Sequence, residues 1–229
     1  QPLFLDELYT EFADARNNEK RLRQLLARIS KIKFLDPACG SGNFLIITYK
    51  ELRKLEMQIW DTIAALNHGL KEFPFSNVSL TQFHGIELDE FAHETATLSL
   101  WLAEHQMNKA FESRFQTHVD ALPLRRSGNI VHGNACRIDW NTVCPHTPDE
   151  EVYIMGNPPY LGSSLQNVVQ KEDIDNVLSQ LDSYKNLDYI ACWFYKGAEY
   201  INNSRSKLAF VTTNSICQGE QVILLWKSI

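Results

Sequence analysis

Short apolar runs alternate with longer stretches of helical period along this chain. Ile32-Lys33-Phe34-Leu35 reads as a buried strand ending at Asp36. From Phe44 to Trp60, Leu45, Thr48, Leu52, Leu55 and Ile59 recur at helical spacing and predict a helix with one apolar face. Phe83-His84-Gly85-Ile86 predicts a second strand. Asp89 to Met107 predicts a long helix with a stripe through Phe91, Thr95, Leu98 and Leu102. Ile130-Val131-His132 and Val152-Tyr153-Ile154-Met155 predict strands three and four, the latter running straight into Asn157. Leu187 to Ile201 predicts an aromatic-rich helix, Leu208 to Val211 a fifth strand, and a further helix begins near Glu220. This alternation predicts an α/β fold, a doubly wound and mainly parallel sheet with helices on both faces. The segments 61–81 and 125–128 read as surface connections, and residues 1–30 as a helical lead-in.

Composition narrows the class. With 229 residues and 44% hydrophobic content the chain can bury one full core. No run of 18 apolar residues predicts a membrane helix. The start, beginning Gln1-Pro2-Leu3, lacks an initiator Met and a basic region, so it reads as a cut inside a longer polypeptide rather than a signal peptide. Cys39, Cys136, Cys144, Cys192 and Cys217 form no CxxC pair and read as reduced, buried thiols of a cytoplasmic protein. The seven histidines show no paired ligand spacing, so no structural zinc is expected. A net charge of −6 argues against a large nucleic-acid footprint on this chain alone. The cluster Lys20, Arg21, Arg23, Arg28, Lys31 and Lys33 reads as a solvated helix face.

Four short constellations carry chemistry, each at a strand end. Asp36-Pro37-Ala38-Cys39-Gly40-Ser41-Gly42 joins strand one to a helix beginning near Asn43 and Phe44. Glycine lets backbone pass close to a ligand, and the helix start directs N–H groups to the same place. The position where a pyrophosphate fingerprint needs a third glycine holds Leu45, and Asp36 would repel a phosphate. A ligand with a positive amino group fits better; a ligand-free tight turn is the alternative. Gly85-Ile86-Glu87-Leu88-Asp89 ends strand two, where Glu87 can accept from both ribose hydroxyls and Asp89 can cap the next helix. Gly133-Asn134-Ala135 ends strand three; the Asn134 amide offers a donor and an acceptor to an adenine ring, or simply makes a Gly-Asn turn. Gly156-Asn157-Pro158-Pro159-Tyr160 ends strand four. The Asn157 carbonyl and the Pro158 backbone carbonyl can together hold the two hydrogens of an exocyclic NH2, and Tyr160 offers a flat ring for an extruded base.

In that order, these segments resemble the amino-group DNA methyltransferases of the gamma arrangement. The glycine loop resembles the family's cofactor motif, Gly85 to Asp89 its ribose motif, and Gly156 to Tyr160 its catalytic motif in the form that goes with N6-adenine. Gly133-Asn134 stands where the family often has Gly-Asp. Asn186 to Tyr189 and Lys207 to Asn214 resemble two later motifs. The strings Pro2 to Leu8 and Gly133 to Trp140 resemble large single-chain proteins that join a methyltransferase to target recognition, often with a nuclease, in restriction-modification systems.

The resemblance implies S-adenosylmethionine as cofactor, held by Asp36, Pro37, Ala38, Cys39, Gly40, Gly42, Asn43, Phe44, Glu87, Leu88, Asn134 and Ala135. It implies catalysis by Asn157, Pro158 and Tyr160, and double-stranded DNA as partner. Residues 1–229 are then one catalytic domain lacking the N-terminal cofactor motif and target recognition, with an edge strand at Leu208 to Val211. Such a piece is expected to fold but to be catalytically inactive. A methyltransferase acting on a protein glutamine or RNA, and a non-catalytic domain that keeps the fold, are the alternative readings.

Overall fold

The computed structural model describes residues 4–69, 73–117, 129–227 and 229. Its centre is a five-stranded, all-parallel sheet in the order β3-β2-β1-β4-β5. The strands are β1 (Lys33–Asp36), β2 (Phe83–Glu87), β3 (Asn129–His132), β4 (Val152–Gly156) and β5 (Lys207–Phe210). Parallel neighbours need crossovers, and helices supply them. The helices are α1 (Leu5–Ala15), α2 (Glu19–Ile29), α3 (Asn43–Leu66), α4 (Glu90–Phe115), α5 (Trp140–Val143), α6 (Val168–Leu178), α7 (Ala191–Ile201) and α8 (Glu220–Leu225). This is the doubly wound architecture that the alternation predicts. No helix among the described residues is long and apolar enough to cross a membrane.

Alternation along the strands builds two cores. Phe34, Phe83 and Tyr153 face α1 to α4, where Phe34 stacks on Phe83 at 5.0 Å and meets Phe4 at 5.1 Å. Leu35, Ile86 and Ile154 face α5, α6 and α7 with Trp140, Ile190 and Phe194. Leu45, Thr48, Leu52, Leu55 and Ile59 of α3 are all buried, as their spacing predicts.

Helix α4 departs from the reading. Phe91 is 81% exposed and Leu98 and Leu102 are also exposed. Ala96, Leu100, Ala103, Met107 and Phe111 make the buried face instead. Small residues there let α4 approach the glycine loop, with Ala96 against Gly42.

Other boundaries shift for identifiable reasons. Residues 61–66 continue α3, and Pro74, Val78 and Leu80 are buried, so 61–81 is not a surface connection along its whole length. The Glu56 carboxylate draws this segment in, accepting from Ser76 Oγ at 2.7 Å and Asn77 N at 2.6 Å. Residues 70–72 and 125–128 lie outside the described residues, as do Gln1, Pro2 and Leu3. The helix expected from Leu187 begins at Ala191, because Asp188 Oδ1 accepts from Ile190 N and makes a turn first.

The basic cluster divides: Lys20, Arg21 and Lys31 are exposed as expected, while Arg23, Arg28 and Lys33 meet carboxylates. Arg28 bonds to Glu7, Glu11 and Glu151 at 2.5–2.6 Å, tying both lead-in helices to the start of β4. Arg23 pairs with Glu19, and Lys33 with Glu150. Four cysteines are buried and free; Cys217 differs from the expectation in being exposed. Strand β5 pairs only with β4 among the described residues.

Candidate functional site

From β1 the strand order runs outward one way through β2 and β3 and the other way through β4 and β5. The loops after β1 and β4 therefore part and leave a crevice at the carboxyl ends of the strands, the usual ligand position in such sheets. A cavity of about 600 Å³ lies there. That is within the range of small-molecule sites. Pro37, Ala38 and Gly40 wall it on one side, Glu87 and Leu88 on a second, Asn134 and Ala135 on a third, and Asn157 with Pro159 at the end of β4. One cavity thus gathers the ends of β1, β2, β3 and β4.

The glycine loop is held by bonds to its neighbours. Gly40 N donates to Glu87 Oε2 at 2.7 Å, and Cys39 N to Ile86 O at 3.1 Å. Trp193 Nε1 donates to Pro37 O at 3.0 Å. Gly42 caps α3 at φ +85°, and a Cβ there would meet Ala96 Cβ at 3.3 Å. Both the left-handed backbone and the close helix require glycine.

Glu87 is the hub of the β1–β2 side. Its Oε1 accepts from Asp89 N at 2.8 Å, and Asp89 in turn caps α4 by accepting from Ala92 N. A carboxylate has about four lone-pair positions, so two protein bonds leave acceptors for a diol.

Asp36 stands behind the loop. It is fully buried and does not line the cavity. Its Oδ1 accepts from Ala38 N at 3.1 Å, while Oδ2 has no hydrogen-bond partner among the described residues. A Cβ on Gly156 would lie 2.5 Å from Oδ1, so glycine at the end of β4 makes room for this carboxylate. Burial, with a smaller push from Glu87, raises its pKa to about 7 against the pull of the Ala38 N–H. The expected direct contact of Asp36 with a ligand amine does not follow from this position. Cys39 is likewise buried, its thiol pushed up by burial and then by Asp36 and Glu87. Gly42, Asn43 and Phe44 belong to the α3 start rather than the cavity wall.

Asn134 is not a free donor–acceptor pair. Its Oδ1 accepts from Cys136 N at 2.9 Å and its Nδ2 donates to Asp173 Oδ2 at 2.8 Å. Asp173, on α6, is fully buried and also accepts from Arg137 Nε at 2.6 Å and Tyr189 OH at 2.7 Å. Asp173, Trp193 and Arg137 all reach the cavity, and the sequence reading did not single them out. The available signal was the capping box Asn167 with Gln170, which starts α6 and so positions Asp173.

Beyond β4, Asn157 is exposed and its amide has no protein partner among the described residues. Pro158 is buried and Tyr160 is 46% exposed, and neither lines the cavity. The loop is anchored just downstream. Leu161 N donates to Asp188 Oδ1 at 2.8 Å and Leu161 O accepts from Tyr189 N at 3.0 Å. Gln166 Nε2 bridges Leu161 O and Leu187 O. Asp188 therefore fixes the chain that follows Asn157 and Tyr160. An uncommitted amide at the rim of a nucleotide-sized cavity can orient an incoming polar group against a bound ligand.

Residues 12–229 match the family described as MmeI, DNA-methyltransferase domain. The chain is 51% identical to DNA methyltransferase A of Bacillus subtilis (strain 168), over all of this chain and 26% of that protein. It is 37% identical over 99 residues, 43% of this chain and 8% of the other, to a putative type II restriction enzyme and methyltransferase, RM.MjaORFECS2P, of Methanocaldococcus jannaschii. Among solved structures, the Type IIL restriction-modification enzyme MmeI in complex with DNA superposes with a TM-score of 0.87 at 40% identity, covering 99% of this chain and 30% of that one. A nuclease-deletion mutant of the Type ISP enzyme LlaGI gives 0.50 at 16% identity over 92% of this chain and 18% of its own, a likeness of fold alone. The chain thus spans about a quarter of DNA methyltransferase A and under a third of MmeI.

Proposed function

The chain belongs to the MmeI DNA-methyltransferase domain family, and on that footing we propose that it transfers a methyl group from S-adenosylmethionine to the N6 amino group of an adenine extruded from DNA. The observation that carries this reading is Asn157. Its uncommitted amide stands at the rim of the cavity that Glu87, Gly40 and Asn134 also line.

The residues present fit the cofactor. Glu87 keeps spare acceptors for ribose hydroxyls, and the glycine loop brings backbone to the cavity wall. The unpartnered, buried Asp36 Oδ2 lies behind that loop, and a cationic ligand in the cavity would favour the ionised form that burial disfavours. S-adenosylmethionine supplies a methyl group on a cationic sulfur. Asn157 accepts from the target amine with its side-chain carbonyl, and the Pro158 carbonyl takes the second hydrogen. Holding both hydrogens turns the nitrogen lone pair out of conjugation and towards the methyl donor. No strongly basic group is required, and the chain's contribution is positioning. Tyr160, exposed beside the rim, stacks the extruded base.

Residues 1–229 act in this reading as one catalytic domain, with α1 and α2 as its lead-in. DNA is the partner, as in the MmeI complex, and the reaction belongs to a restriction-modification or related defence protein of the cytoplasm. In the full-length protein, Asn157→Ala should remove methylation and leave DNA affinity within about twofold. Abundant N6-methyladenine from that variant would refute the role given to Asn157.

A further inference from the structure

We propose that Asp173 is a positioning residue for the cofactor's base: acting through Asn134, it fixes a hydrogen-bond donor at the cavity wall and so selects adenine over hypoxanthine. This rests on the reading that the cavity holds S-adenosylmethionine.

The orientation of the Asn134 amide follows from its partners. Cys136 N–H can only donate, so the atom 2.9 Å away is the amide oxygen. The Asp173 carboxylate, accepting as it does from Arg137 and Tyr189, takes the amide nitrogen at 2.8 Å. The usual ambiguity between amide O and N is thereby resolved by chemistry. The oxygen is turned back onto its own backbone. One Nδ2 hydrogen is spent on Asp173, and the other remains on a residue that lines the cavity.

The wall therefore offers a donor where the bare sequence offered both a donor and an acceptor. Adenine N1 is an acceptor and matches it. Hypoxanthine carries a proton on N1, so two donors would face each other and both would lose their partners. A mismatch of this kind costs about 10- to 100-fold in affinity. Asp173 borders the same cavity, but it has no exposed surface and both of its oxygens are committed to Asn134, Arg137 and Tyr189, so it acts on the base through Asn134. Tyr189 and Arg137 hold the carboxylate in place from α7's lead-in and from the β3 loop.

The test is calorimetric titration of the full-length protein with S-adenosylhomocysteine and with S-inosylhomocysteine. The native protein should prefer the adenosyl ligand by 10- to 100-fold. Asp173→Asn should reduce that ratio to about threefold or less, because one carbonyl oxygen cannot serve three donors. Asn134→Ala should reduce it equally, and the double variant should add nothing, as expected for residues acting in series. Should Asp173→Asn fail to fold by circular dichroism, Tyr189→Phe takes its place, with at least a threefold drop in the ratio expected. An unchanged ratio in the folded variant, or an equal loss for both ligands, would overturn the proposal by showing a purely structural role. A native protein that binds the adenosyl ligand without preference would overturn it too. A native protein that binds neither ligand would instead remove the cofactor reading on which it stands, and the proposal with it.

Discussion

Replacing Asp36 with asparagine removes an ionisable group that the fold buries with no cation beside it among the described residues. The folded carboxyl titrates near 7, against an ordinary value of 3.8, and burial is the main cause. Between those values the folded state holds a proton that the unfolded chain has released. Stability therefore falls as pH rises through this window. At about 1.4 kcal/mol per pH unit, the loss from this one group reaches about 4 kcal/mol by pH 8, and about 2–3 kcal/mol of it falls between pH 5 and pH 8. Asparagine keeps the acceptor for Ala38 N but places an unpartnered NH2 where Oδ2 has no partner. That costs about 1–3 kcal/mol at every pH. The variant should thus be similar to or less stable than the native protein at pH 5 and should gain on it by about 2–3 kcal/mol at pH 8. Urea unfolding of both proteins across that range, without cofactor, measures the difference. Parallel curves would refute the reasoning, since other titrating groups cancel between the two proteins.

Glu87→Ala should weaken S-adenosylhomocysteine binding by about 1–3 kcal/mol, because it removes charge-assisted bonds to the ribose and frees Gly40 N; unchanged affinity by calorimetry would count against the ribose assignment. Gly42→Ala should destabilise the fold by about 1–3 kcal/mol in urea unfolding, through left-handed backbone and the contact with Ala96; a loss under about 0.5 kcal/mol would show that α4 gives way. With four thiols buried and Cys217 exposed, one equivalent of a maleimide should react with the folded 229-residue chain, and Cys217→Ser should abolish that reaction; two or more equivalents would contradict the burial.

The sheet was readable because its strands are short apolar runs, three of them stopped by a chemically distinct residue: Asp36, Glu87, Asn157. The α4 face was not. Its large apolar residues Phe91, Leu98 and Leu102 point outward, while alanines carry the packing. Spacing rules weigh side-chain size, and close helix approach rewards the opposite. The site divides in the same way. Strand-end residues were legible because position along one strand determines them. The Asp173 node was not, since it joins the β3 loop 39 residues upstream and Tyr189 16 residues downstream to α6. Asp36 was legible as an acidic residue at a strand end, but its burial behind Gly156 is a product of the β1–β4 pairing.

The central claim is tested most directly by incubating the full-length protein with duplex DNA and isotopically methyl-labelled S-adenosylmethionine, then separating the digested nucleosides by mass spectrometry. The account predicts label in N6-methyldeoxyadenosine, and none when Asn157 is replaced by alanine. Label in another nucleoside, in protein glutamine or in RNA, with none in N6-methyldeoxyadenosine, would contradict it.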